Sequence, residues 1–160
     1  LPNNWNYLAF IRLILPNAKI IDARRHPLDC CFSNYRQHFA KGQAFRYDLA
    51  HLGQYYADYV RLMAHFDAVE PGSIYRVIHE QLLENPEGEI RSLLEFLDLP
   101  FEESCLNFHQ NKRAVRTASS EQVRRPINRD GVDQWKPYAA HLEPLKRALG
   151  AYWKTYPAIS

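Results

Sequence analysis

Apolar groups recur at helical spacing through residues 5–15, WNYLAFIRLIL, and stop at Pro16-Asn17, which predicts an opening helix. Residues 18–23, AKIIDA, are short and β-branched at the centre, the pattern of a buried strand of a parallel sheet that ends near Arg24. Pro27 suits a first helical turn, and apolar positions 28, 31, 32, 35 and 39 predict a helix over 28–39. Leu49, Leu52, Tyr55, Tyr56, Tyr59, Leu62, Met63 and Phe66 form one stripe of a long helix ending before Pro71-Gly72; this stripe is read as core rather than as a ligand surface. SIYRVIHE, 73–80, alternates well enough for a second strand. Asn85-Pro86-Glu87 then supplies an N-cap, a first-turn proline and an acid ahead of Ile90, Leu93, Leu94 and Leu97, a helix closed by Pro100. A short helix is expected within 102–111, and Leu142, Leu145 and Leu149 share one face of a final helix over 141–152. Between 112 and 133 no hydrophobic period survives, so this is a long loop of the kind that in compact domains tends to be functional. The fold class expected is α/β, a parallel sheet flanked by helices, in one domain over 1–160.

Composition agrees with a globular domain: 160 residues, 46% hydrophobic and 24% charged, which excludes a disordered tail or a collagen-like chain. The longest apolar run, 8–15, is interrupted by Arg12 and is about half the ~20 residues a spanning helix needs, so no membrane association is expected. The chain opens Leu1-Pro2-Asn3-Asn4, with neither an initiator methionine nor a secretory pattern, which reads as a cut. Three cysteines, two of them adjacent at Cys30 and Cys31, suggest reduced thiols used for packing and a cytoplasmic setting. No histidine or cysteine pair has metal-ligand spacing, and no metal is expected. The total charge of +2 conceals a net +5 within residues 109–129, carried by Lys112, Arg113, Arg116, Arg124, Arg125 and Arg129 against Glu121. That asymmetry favours a phosphate or sulfate ligand held at one place, with a solvated basic loop as the plain alternative. Single-stranded RNA binding by the same loop and the many tyrosines is a weaker rival, and no nucleic-acid partner is expected.

Chemistry concentrates first at Arg24-Arg25-His26-Pro27-Leu28-Asp29-Cys30-Cys31-Phe32-Ser33, where a strand gives way to a helix. Ligands collect outside the carboxyl ends of strands in open α/β sheets, a helix start offers unpaired N–H groups, and Arg25 adds a planar fork matched to phosphate. Ser33 lies about two turns into the helix, where its hydroxyl can join the same anion. Equally open is a basic turn whose arginines cap carbonyls or pair with Asp29.

AKIIDARRHPLDCCFSNY resembles the 3′-phosphate-binding segment of sulfotransferases, in which a strand ends in an arginine, a short turn carries an acid, and a serine follows eight positions after the arginine. The likeness continues through HEQLLENP, EIRSLLEFLDLP and RTASSEQVRRPINRDGVDQWKPY, and is nearest the tyrosylprotein sulfotransferase branch and its bacterial relatives, often fused to tetratricopeptide repeats. The resemblance implies a sulfotransferase that moves a sulfuryl group from 3′-phosphoadenosine-5′-phosphosulfate to a hydroxyl acceptor, a small molecule or protein tyrosine, leaving adenosine 3′,5′-bisphosphate. Arg25 and Ser33 would then grip the 3′-phosphate. Ser119, Ser120, Gln122, Arg124, Arg125 and Asn128 would fold over the nucleotide, with Ser119 near the transferring sulfate as the catalytic candidate.

Departures from the family pattern are specific. His79 stands where a nucleotide-contacting tyrosine is usual, and it is either a substitute contact or a structural histidine. Gln37, beside Arg36, replaces a further arginine, and Gln134 replaces a lysine before Trp135. The family's 5′-phosphosulfate loop, its catalytic acid and a lysine belong upstream of Leu1, so the expected fold is that of P-loop nucleotide hydrolases lacking that part, with a fragment inactive alone. A noncatalytic nucleotide- or anion-binding module is the alternative reading. Trp135 and Trp153 could line an acceptor pocket or anchor the last helix on the sheet.

Overall fold

The computed structural model describes residues 3–37, 47–111 and 122–157. A 3-10 turn (Asn4–Tyr7) leads into α1 (Leu8–Ile14), followed by β1 (Ile20–Arg24), α2 (Pro27–Arg36), α3 (Leu49–Val69), β2 (Ile74–Ile78), α4 (His79–Glu84) and α5 (Pro86–Phe96). After short 3-10 turns come α6 (Glu143–Leu149) and α7 (Tyr152–Thr155). Among the described residues the sheet has two strands, parallel, with Ile20 opposite Ile74 and Arg24 opposite Ile78. The α/β expectation therefore holds in a mostly helical form.

The core lies between helices rather than on the sheet. Leu28, Cys31 and Phe32 of α2 meet Leu52, Tyr56 and Val60 of α3 and Leu142, Leu145 and Leu149 around α6. The α3–α6 crossing is close because Gly53 carries no side chain: a Cβ there would lie 2.7 Å from Ala148 Cβ and 3.0 Å from the Leu145 carbonyl. Of the stripe predicted on α3, Leu52, Tyr56 and Met63 are buried and Leu49 and Tyr59 pack against the core, but Tyr55, Tyr56 and Tyr59 also face a cavity, so the stripe is core only in part; Trp135 and Trp153 pack against the same cluster.

Local chemistry explains the helix limits. The Asp48 side chain accepts the His51 amide at 2.8 Å to start α3, and Asn85 accepts the Gly88 amide at 3.2 Å with Pro86 behind it to start α5. Gly150, at φ 60°, stops α6, so the single helix expected over 141–152 is two pieces. The second strand is shorter than expected: His79 and Glu80 leave the ladder and open α4. In 102–111, two 3-10 turns replace the expected helix, and the far end of the helix expected over 28–39 lies outside the described residues.

β1 departs most from its hydropathy. Its buried residues are Asp22 and Arg24, while Ile21 and Ala23 are exposed. Burial of this charged pair is tolerable because its partners are close: Arg24 Nη2 donates to Asp22 Oδ2 at 2.7 Å, Arg76 Nε to the same oxygen at 3.1 Å, and the Tyr59 hydroxyl to Asp22 Oδ1. Arg76 continues the network to Asp67 at 2.8 Å. The first helix likewise buries only Leu8 and exposes Phe10, Leu13 and Ile14.

Candidate functional site

The parallel register carries β1 and β2 to a common end, so Arg25 and His26 emerge beside His79 and Glu80. Both pairs are joined across the gap: the His26 amide donates to Glu80 Oε1 at 3.0 Å, and Glu80 Oε2 accepts the Tyr156 hydroxyl. Burial alone would raise the Glu80 carboxyl, yet the bonds from Tyr156 and the His26 amide together hold it below its ordinary value. It is a fixed anion that orients the turn.

Above this floor lies the segment 129–135. Asp29, in the first turn of α2 and 1% exposed, accepts the Asp133 amide at 2.8 Å and the Trp135 amide at 3.4 Å. At the far end of α2, Arg36 donates to Gln134 Oε1 at 3.3 Å. Positions 29 and 36 share one helix face, seven residues or two turns apart, which is why one loop can run along both. The two departures from the family pattern are thus linked in space, Gln134 being bonded to the arginine beside Gln37. Trp135 stacks on the His26 ring, centroids 5.9 Å apart and 3° from parallel.

Arg25 is three-quarters buried, lies 3.9 Å from Asp29, and donates through Nη2 to the Gly131 carbonyl; its own carbonyl accepts the Tyr56 hydroxyl at 3.1 Å. The two possibilities open for this arginine, carbonyl capping and pairing with Asp29, are both realised. Its Nε has no partner although buried. The same is true of His26 Nδ1, His79 Nδ1 and Trp135 Nε1. Four unsatisfied nitrogens therefore gather at the strand ends, where buried polar atoms are normally paired. Burial lowers the pKa of both histidines; for His79 the neighbouring Arg25 charge lowers it further, and for His26 the carboxylates of Asp29, Glu80 and Asp133 partly offset the burial.

The remaining sequence candidates are distributed around this centre. Ser33 is exposed two turns along α2, and no hydrogen bond joins it to Arg25 among the described residues. Gln122 opens a 3-10 turn that ends at Arg124, whose guanidinium donates to the Asn111 carbonyl. Arg125 pairs with Asp130 at 3.2 Å, one residue before the glycine that Arg25 holds. Asn128 is exposed, donates to the Pro126 carbonyl and accepts the Asp130 amide, both at 3.1 Å. Ser119 and Ser120 lie outside the described residues. Sequence reading missed Glu80, Gly131 and Tyr156 as parts of the site and gave Asp29 only the place of an acid in a turn. Nothing local marks a residue whose partner is about a hundred positions away.

A cavity of about 590 Å³ lies elsewhere, between α1, α2, α3 and β1, lined by Trp5, Ile20, Arg24, Cys30 and Tyr59 among others. It includes none of Arg25, Ser33 or His79. Burial raises the thiol pKa of Cys30 and Cys31, consistent with packing residues rather than nucleophiles. Among the described residues no group of three or more His, Cys, Asp or Glu could hold a metal ion, and no helix is long and apolar enough to cross a membrane.

Similarity to known proteins places this geometry. Over 152 residues the chain is 41% identical to an uncharacterized protein of Aquifex aeolicus (strain VF5), covering 93% of this chain and 20% of that protein. Over 74 residues it is 31% identical to protein-tyrosine sulfotransferase A of Caenorhabditis elegans, covering 43% of this chain and 20% of the relative. A putative protein-tyrosine sulfotransferase of Caenorhabditis briggsae is 31% identical over 70 residues, 41% of this chain and 25% of the relative. The chain spans a fifth to a quarter of the length of these relatives. Residues 1–103, which include both strands and the Arg25–Ser33 segment, match the sulfotransferase family, and the chain belongs to that family.

Proposed function

We propose that this chain supplies the 3′-phosphate end of the donor site in an enzyme that transfers a sulfuryl group from 3′-phosphoadenosine-5′-phosphosulfate to a hydroxyl acceptor, with protein tyrosine as the acceptor class. The observation that carries the reading is the gathering of four unsatisfied buried nitrogens around Arg25 at the carboxyl ends of two parallel strands. Arg25 Nε and Trp135 Nε1 are donors that a ligand rich in acceptor oxygens complements, and the two imidazoles join them as donors when protonated.

In this reading Arg25 and Ser33 hold the 3′-phosphate, and His79 takes the place of the usual tyrosine at the nucleotide. The run from Ser119 to Asn128 closes over it, Ser119 nearest the sulfate. In the reaction the sulfur–oxygen bond to the donor's 5′-phosphate breaks, a new one forms to the acceptor oxygen, and the acceptor proton passes to a base. The residues named here contribute binding and orientation, which in group transfer of this type are a large part of catalysis. The acceptor class rests on the likeness to the two Caenorhabditis relatives, which are named as protein-tyrosine sulfotransferases. The two strands are read as part of a wider parallel sheet of the P-loop kind, and a cytoplasmic location remains the working assumption.

Titration with adenosine 3′,5′-bisphosphate against adenosine 5′-monophosphate tests the assignment. Preference for the bisphosphate that disappears in Arg25→Ala is the expected result; equal affinity for the two nucleotides refutes a 3′-phosphate site. A sulfuryl-transfer assay on the same protein separates an enzyme from a binding module.

A further inference from the structure

The side-on edge of an arginine presents two parallel donors, Nε and Nη2, and this edge is what takes two oxygens of a phosphate or carboxylate at once. In Arg25 the two donors are treated differently. Nη2 donates to the Gly131 carbonyl, and Nε is buried without a partner. One nitrogen of the fork is engaged by the protein's own backbone.

That backbone is held in place from a distance. Asp29 fixes the amides of Asp133 and Trp135, Arg36 fixes Gln134, and Gln134 in turn donates to the Asp130 carbonyl, so residues 130–135 form a short clasped loop whose Gly131 carbonyl faces the guanidinium. The approach is close enough that an added methyl would press on it. A Cβ at position 131 would lie 3.3 Å from Nη2, 3.6 Å from Cζ and 3.8 Å from Nη1, against the guanidinium itself. Gly131 is not among the residues with positive φ, so its backbone is open to alanine and the glycine is explained by contact rather than by turn geometry.

We propose that Gly131 is a positioning residue for anion binding: its carbonyl is an internal occupant of the Arg25 fork, and an incoming phosphate engages the Nε–Nη2 edge by displacing it. Binding then costs the loop its bond to the fork and leaves its bonds to Asp29 and Arg36 in place. The affinity of Arg25 for an anion is set below its intrinsic value by competition with this carbonyl, because a site that must first give up a bond binds more weakly than one already free.

This inference rests on Arg25 being the anion-binding arginine proposed above, and two measurements separate its fate from that reading. The first is titration of the full chain with adenosine 3′,5′-bisphosphate for wild type, Gly131→Ala, Arg25→Lys and the double variant. Gly131→Ala should bind about three- to tenfold tighter, the order of one ordinary hydrogen bond, since a Cβ at 3.3 Å weakens the contact to the charged fork without abolishing it. The gain should vanish with Arg25→Lys, which keeps the charge and lacks the fork. Affinity unchanged or reduced in Gly131→Ala, or a gain that persists with Arg25→Lys, overturns the proposal. The second measurement needs no nucleotide: the rate at which phenylglyoxal modifies Arg25, read by peptide mass spectrometry with a thermal melt confirming the fold. The rate should rise in Gly131→Ala, and equal rates overturn the proposal. If no variant binds the bisphosphate, the donor reading fails while the phenylglyoxal rates still decide the fate of the internal contact.

Discussion

The Asp29 carboxylate accepts the Asp133 amide at 2.8 Å, so the first turn of α2 fastens a loop 104 positions further along the chain. The same group takes the Trp135 amide, and Asp29 itself is 1% exposed. Asp29→Ala should therefore lower stability by about 1–3 kcal/mol, the cost of leaving partly buried donors without an acceptor. Asp29→Asn, which retains one carbonyl oxygen, should cost less. Thermal or urea unfolding of both variants checks this, and an alanine variant as stable as wild type would show the loop is held by other means.

Arg25→Ala should weaken adenosine 3′,5′-bisphosphate by roughly 1.5–3 kcal/mol, the value of a hydrogen bond to a charged group. Ser33→Ala removes a neutral hydroxyl, and an effect of about 0.5–1.5 kcal/mol is expected. Calorimetric titration reads both. The order matters more than the sizes: a serine variant that loses more than the arginine variant contradicts a site centred on the fork.

Gly53 offers a check on the fold that is independent of any ligand. Replacing glycine by alanine within a helix ordinarily gains about 0.5–1 kcal/mol. Here the added methyl would meet Ala148 Cβ at 2.7 Å and the Leu145 carbonyl at 3.0 Å, and the carbonyl belongs to a helix that cannot yield locally. Gly53→Ala should destabilise instead, by about 1–3 kcal/mol. Denaturant unfolding gives the sign directly, and a stabilised variant would mean α3 and α6 cross further apart.

What could be read from the chain and what could not divides along a physical line. Asn85-Pro86 starting α5, Gly72 after α3 and the leucines of α6 act within a few residues, and their pattern is visible in sequence. So is the strand–turn–helix around Arg25, because the turn chemistry is local. Asp22 and Arg24 invert the expected burial of β1: Tyr59 and Arg76, supplied by α3 and β2, satisfy Asp22, and Arg24 bonds Asp22 and Tyr59 while its Nη1 keeps no partner. Glu80 was visible only as an acid near a proline, and its bonds to the His26 amide and Tyr156 exist only once the strands are paired and the tail has returned. The Arg36–Gln134 contact shows the same limit: its two residues are 98 positions apart, and nothing local in either segment marks the other.

Acid should tighten anion binding through the histidines at the strand ends. Burial holds His26 and His79 below the ordinary value of 6.5, so both are neutral at pH 7 and each leaves Nδ1 unpaired. For the free protein the sign follows from the direction of the shift. The folded pKa values lie below the unfolded one, so the neutral rings contribute stability that is fully present above pH 6.5 and is lost as pH falls through the lower folded values. A bound phosphate reverses the preference at His79 by favouring the imidazolium, which makes affinity rise with proton uptake as pH drops below 6.5. The ligand's own phosphate also takes up a proton near pH 6, so the wild-type curve alone does not isolate the ring. Comparison with His79→Gln does: the wild type should gain affinity relative to the variant on going from about pH 7.5 to about pH 5.5, over the range in which a histidine titrates. Parallel curves for the two proteins would remove His79 from the anion's surroundings and leave it a structural histidine.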